Sequence, residues 1–86
     1  MNEAPFRVEL TELAADKLRN LDRVARERIR RKLEQAAYDP SRFLERLTSV
    51  ESYRLRVGDY RVIVDVDWKR QVLSVLTLGH RSTIYG

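Results

Sequence analysis

The stretch Tyr53-Arg54-Leu55-Arg56-Val57-Gly58-Asp59-Tyr60-Arg61-Val62-Ile63-Val64 decides the fold. From 53 to 57, apolar and basic residues alternate with the two-residue period of a half-buried strand. Gly58-Asp59 is a two-residue loop of the Gly-X kind that suits a tight hairpin. Residues 60–66 are rich in β-branched side chains and read as a central strand. A two-residue turn fixes the register, so that Val57 opposes Tyr60, Arg56 opposes Arg61 and Leu55 opposes Val62. Leu55 and Val62 then share one face of the sheet, turned toward whatever covers it. Arg54, Arg56 and Arg61 share the other.

Downstream, Trp68-Lys69-Arg70 reads as the next turn and residues 72–78 as the last long strand. Upstream, residues 44–50 are expected to hold a short edge strand or a loop. Before them the period changes to that of a helix. Ala25, Ile29, Leu33 and Ala36 or Ala37 recur at helical spacing over 23–37, with Asp22 as the cap and Asp39-Pro40 as the stop. Leu13, Ala14, Lys17, Leu18 and Leu21 make one stripe, which predicts a helix over 12–20 with Thr11 at its N-cap and Glu12 in its first turn. Phe6, Val8 and Leu10 alternate with Arg7 and Glu9 as a first strand. The order is strand, antiparallel helical hairpin, then a three-stranded antiparallel meander. That is an α+β architecture: one twisted, mostly antiparallel sheet with helices on one face and the other face open.

The 86 residues fit one small domain, 1–86, without internal repeat or low-complexity segment. Charged residues make up 35% of the chain, so most of the surface is ionic. Several classes are excluded. The longest aliphatic stretch is Val62-Ile63-Val64, far short of a membrane span of about 20 residues. Met1-Asn2-Glu3-Ala4-Pro5 has no basic region followed by an apolar run, so no secretory signal is expected and the cytoplasm is the expected location. Cysteine is absent and His80 stands alone, so neither a disulfide framework nor a metal site is expected, and no cofactor. The net charge is +4, and 14 of the 17 basic residues are arginine. Arginine presents a planar fork of donors that matches phosphate, which points to a polyanionic partner.

Three groups of residues carry that expectation. Arg56 and Arg61 lie side by side with Arg54 two residues along. Like charges opposite one another on a sheet repel, and a bound anion turns the repulsion into attraction. The competing reading is that Asp59, Asp65 or Asp67 neutralises these arginines. The C-terminal run Gly79-His80-Arg81-Ser82-Thr83-Ile84-Tyr85 is the second group. Arg81 suits phosphate, Tyr85 can stack on a base, and His80 has the only side chain with an ordinary pKa near neutrality. The third group is the helical run with Arg23, Arg26, Arg28, Arg30, Arg31 and Lys32. Glu27 with Arg31 and Arg30 with Glu34 are spaced for ion pairs, so a solvated face competes there with a polyanion surface. The chain has no glycine-rich phosphate loop and no Ser-His-Asp set. RNA cleavage needs neither, because the 2′-hydroxyl of the substrate can be the nucleophile.

The run 53–63, then Gly79-His80-Arg81 and Tyr85, resembles the RelE/ParE superfamily of type II toxins, with Asp67-Trp68-Lys69 closest to its archaeal RelE branch. The resemblance implies a toxin that enters the ribosomal A site and cuts mRNA there by 2′-hydroxyl attack, needing no cofactor and held inactive by a cognate antitoxin. It implies that Arg54, Arg56, Arg61 and Arg81 bind and stabilise the scissile phosphate and that Tyr85 orients the substrate. It also implies that Arg23, Arg26, Arg30 and Lys32 face ribosomal RNA; Trp68, on a turn, is expected either to meet the antitoxin or to sit at the edge of the core. Well-studied bacterial relatives carry lysines at the positions of Arg54 and Arg56, one of them as the general base. Arginine is not deprotonated in proteins, which leaves His80, Tyr85 or the ribosome as proton acceptor. The alternatives are a ParE-like inhibitor of gyrase and a catalytically silent homologue that only binds antitoxin.

Overall fold

In the computed structural model, which describes residues 4–84, the first strand β1 is Arg7–Leu10, followed by helices α1 (Glu12–Arg19) and α2 (Arg23–Tyr38). A one-turn helix α3 (Pro40–Phe43) and a two-residue strand β2 (Glu45–Arg46) come next. Strands β3 (Tyr53–Val57), β4 (Tyr60–Asp67) and β5 (Val72–His80) form the meander, and a final turn α4 (Arg81–Ile84) closes the described chain. The sheet order is β1-β5-β4-β3-β2. Every neighbouring pair is antiparallel except β1 with β5, which run parallel. None of the described helices is long and apolar enough to cross a membrane.

Both long helices start where the sequence offers a cap. The Thr11 hydroxyl accepts from the Ala14 amide at 3.1 Å and donates to the Leu76 carbonyl at 2.8 Å, tying the start of α1 to β5. The Asp22 carboxylate accepts from the Ala25 amide at 2.8 Å. Asp39 ends α2, but Pro40 begins α3, because proline suits the first position of a helix as well as it stops one. Part of 44–50 resolves into the edge strand β2, whose Glu45 and Arg46 oppose Arg54 and Tyr53.

The β3–β4 register is the expected one: Leu55 opposes Val62, Arg56 opposes Arg61 and Val57 opposes Tyr60. Gly58 has φ +59° and Asp59 does not share the left-handed region, the signature of a Gly-first hairpin turn. A Cβ on Gly58 would also lie 2.7 Å from Arg28 Nη2, so the guanidinium of α2 rests on the bare backbone of the turn. The strand expected at 72–78 carries a bulge that alternation alone does not show. Ile63 opposes Thr77 while Val64 opposes Val75, which makes Leu76 the extra residue. The bulge is why Val75 and Leu78, three apart, are both buried on the same face.

That face meets the helices. Ala14, Ile29, Leu33 and Ala36 pack against Leu55, Val62, Val64, Leu73, Val75 and Leu78. At about 1.5–3 kcal/mol for each large aliphatic side chain removed from water, this one layer carries the fold. Trp68 closes one end of the core, its ring edge-on to Phe6 at 5.8 Å and Tyr53 at 6.2 Å, while 47% of the residue stays exposed.

A candidate phosphate site on the open face

On the opposite face, the hairpin register and the β4–β5 pairing set a row across the sheet: Glu45 on β2, Arg54 and Arg56 on β3, Arg61 on β4 and Gly79 on β5. Arg81 follows at the start of α4. Its amide donates to the Asp59 carbonyl at 2.8 Å, which fastens α4 to the tip of the hairpin. α4 packs over Gly79, where a Cβ would meet Thr83 Oγ1 at 3.5 Å and Ile84 Cβ at 3.9 Å, both ordinary contact distances.

Arg61 is at the centre of the row and is only 8% exposed. Its Nη1 donates to the carbonyls of Gly58 and Tyr60, both at 2.8 Å. Its Nε is buried without a hydrogen-bond partner, and no carboxylate among the described residues pairs with it. A buried cation with neutral partners alone is costly, and an anion delivered to it removes that cost.

Arg54 and Arg56 do converge, and they converge on a carboxylate. Glu45 Oε1 accepts from Arg54 Nε at 3.0 Å and Nη2 at 2.9 Å, and from Arg56 Nε at 3.2 Å. The Arg54 hydrogen bond, with the charges of Arg56 and Arg54, holds the Glu45 carboxyl below the usual glutamate range, against the opposing effect of burial. The aspartates expected to neutralise these arginines are engaged elsewhere. Asp65 accepts from Ser52 Oγ at 2.8 Å, Asp67 accepts from the Arg70 amide at 3.0 Å, and Asp59 lies 3.9 Å from Arg81 Nε. Glu45 was outside the sequence reading because a two-residue strand has no period to reveal it. Its only signal is its place before the hairpin, in a segment whose pairing was open.

The remaining residues separate. His80 opposes Tyr60, its ring 5.9 Å from the tyrosine ring, and Tyr60 packs on the core. Alternation from Gly79 therefore puts His80 on the helix side of the sheet, away from Arg61, where its Nδ1 meets Ser82 Oγ at 2.9 Å. Tyr85 lies outside the described residues. On α2, Arg26 Nη1 donates to the Leu21 carbonyl at 3.1 Å, and Arg30 pairs with Glu27 at 3.4 Å rather than with Glu34. Arg23 stands at the first position of α2. Lys32 lies over the Phe43 ring at 5.5 Å. It also lines a groove of about 220 Å³ with Arg28, Arg31 and Gln35, closed on the sheet side by Arg56, Val57 and Gly58. That groove has four cations and no carboxylate in its lining. A wider recess of about 750 Å³ lies at the other end of the sheet, and its Glu51, Asp65 and Asp67 repel phosphate.

Comparison with known proteins bears on the family and the fold. Residues 8–85 match the family of the ParE toxin of type II toxin-antitoxin system, parDE. No curated protein sequence matches the chain. Among solved structures, the archaeal RelE-RelB complex from Pyrococcus horikoshii OT3 is 29% identical, with a TM-score of 0.75 over 93% of this chain and 99% of that one. The RelBE2 toxin-antitoxin complex from Mycobacterium tuberculosis superposes with a TM-score of 0.82 at 21% identity, over 91% of this chain and 100% of that one. The intact E. coli RelBE complex gives 0.75 at 24% identity, over 87% and 95%. The last two likenesses are of fold. With a match that spans nearly its whole length and a sheet that superposes on RelE toxins, the chain belongs to the ParE toxin family, within the RelE/ParE superfamily of type II toxin–antitoxin systems.

Proposed function

We propose that this toxin is a single-domain, cytoplasmic, ribosome-dependent endoribonuclease. In this reading it cuts mRNA in the A site by 2′-hydroxyl attack and is silenced by a RelB-like antitoxin. The observation that carries the reading is Arg61: a buried guanidinium with no carboxylate partner among the described residues, on the same face as Arg54 and Arg56, with Arg81 starting α4 beside the hairpin tip. A pentavalent phosphorane gains charge as the 2′-oxygen attacks, and a preorganised cation in a water-poor setting stabilises that gain most. The exposed neighbours bind and align the diester, Tyr85 orients the base, and the Arg28–Arg31–Lys32 groove beside Arg56 takes the flanking backbone or ribosomal RNA. The antitoxin follows from the relatives, whose crystals hold RelE with RelB.

The test is induced expression followed by primer extension on cellular messages. New stops within codons are expected. Arg81→Ala is expected to abolish growth arrest while the circular dichroism and melting curve stay those of the parent. Full toxicity in that variant would refute the assignment.

A second reading has its own support, because the matching family is that of ParE toxins. A ParE-like binder of gyrase would produce a DNA-damage response without message cleavage, and Arg61→Met would leave that response intact.

A further inference from the structure

Of the residues that the sequence singles out, His80 is the one the phosphate site does not absorb. It ends β5 on the helix side of the sheet, immediately before α4. Its imidazole is nevertheless engaged: Nδ1 accepts from the Ser82 amide at 3.2 Å and lies 2.9 Å from Ser82 Oγ. Only a ring nitrogen without a hydrogen of its own can accept from an amide. The ring therefore carries its hydrogen on Nε2, and the Ser82 hydroxyl donates to the same Nδ1 lone pair.

We propose that His80 is a positioning residue for the cleavage reaction: it caps the turn that follows β5 and so fixes Arg81 at the tip of the hairpin. The role rests on the nuclease reading above. The bond runs from a side chain to the amide two residues on, the pattern by which Asn, Asp and Ser start helices and turns. The same residue is gripped from the other direction, since Thr83 Oγ1 donates to the His80 carbonyl at 2.9 Å. The Tyr60 ring, edge-on at 5.9 Å, restricts how the imidazole can rotate.

Arg81 depends on that turn because its side chain is weakly held. It is 62% exposed, and its ion pair with Asp59 is long, at 3.9 Å. Where the guanidinium reaches is therefore set by the backbone. Two consecutive amides hold that backbone: Arg81 on the Asp59 carbonyl at 2.8 Å, and Ser82 on the His80 ring. The first ties α4 to the hairpin and the second ties it to the end of β5. Without the second, the chain pivots about the first. A shift of about 1 Å in a group that meets the reacting phosphate can cost about 10²-fold in rate.

Two substitutions separate the acceptor from the ring. In His80→Asn the amide oxygen stands where Nδ1 stood, within reach of the Ser82 amide. In His80→Gln the oxygen lies one bond farther out. Both lose the ring contact with Tyr60, so their difference reports the cap. In single-turnover cleavage of a ribosome-bound message, His80→Gln is expected to slow by about 10–10²-fold and His80→Asn to recover most of that loss. A His80→Gln protein as fast as the parent overturns the role. Equal losses in the two variants overturn it as well, because the ring and not its acceptor would then matter. Should His80→Gln fail to fold, His80→Asn decides: a rate near that of the parent supports the cap, and a rate reduced about 10-fold or more overturns it. A direct reading is also available, since His80 is the only histidine of the chain and its imidazole nitrogen resonances need no assignment. In the untagged protein at alkaline pH they are expected to show hydrogen on Nε2 and none on Nδ1. Hydrogen on Nδ1 in a cleaving parent overturns the cap alone, whereas a parent that cuts no message fails the nuclease reading and the cleavage role with it.

Discussion

Arg61 is the residue on which the site turns, and its burial has a thermodynamic consequence. A buried cation without a counter-ion among the described residues destabilises the free protein, as uncompensated groups at functional sites commonly do. Arg61→Met keeps most of the shape and deletes the charge. It is expected to melt at or above the parent temperature while losing toxicity. Strong destabilisation would instead assign Arg61 to the hairpin, through its bonds to the Gly58 and Tyr60 carbonyls. The sequence placed Arg61 on the correct face and beside Arg56. It did not reveal that Arg61 is buried, because burial depends on contacts between segments that alternation cannot report. His80 illustrates the opposite case: counting one step from Gly79 already moves it to the other face.

Elements are fixed by short signals that are individually testable. Gly58 satisfies two demands at once, a positive φ and room for the Arg28 guanidinium. Arg28 is flexible and can withdraw, so the backbone cost remains. Gly58→Ala is expected to lower unfolding free energy by about 1–2 kcal/mol in a denaturant titration. Asp22→Ala removes the cap of α2 and is expected to cost about 1 kcal/mol. The edge strand β2 is joined to β3 through Glu45, whose carboxyl titrates below its ordinary range. The unfolded chain therefore binds the proton first as pH falls. The stabilisation is complete above the ordinary glutamate pKa and disappears as pH drops through the lowered folded value. Denaturation midpoints of parent and Glu45→Gln should differ above the ordinary glutamate range and converge as pH falls through the lowered folded value. The hairpin and both helices were legible because their signals are local: a turn dipeptide, two caps and two periods. Strand β2 and the Leu76 bulge were not. Two residues carry no period, and a bulge looks like a continuous strand until its partners are known.

At the scale of the whole molecule, the resemblance of residues 53–63, 79–81 and 85, with the element order, was enough to reach the superfamily, while the distribution of charge needed coordinates. The +4 net charge does not describe the surface. One end of the sheet gathers arginines and the α2 groove, and the other gathers Glu51, Asp65 and Asp67. The first strand, moreover, has one sheet neighbour, and it is β5. Ribosomes deliver β1 early and β5 after every other strand, so the opening segment waits unpaired until the closing stretch emerges. A nascent chain interrupted before residue 72 has neither the sheet interior nor the anchorage for Arg81. A chain without the residues from 72 onward thus has no partner for its first strand, and is expected to stay unfolded.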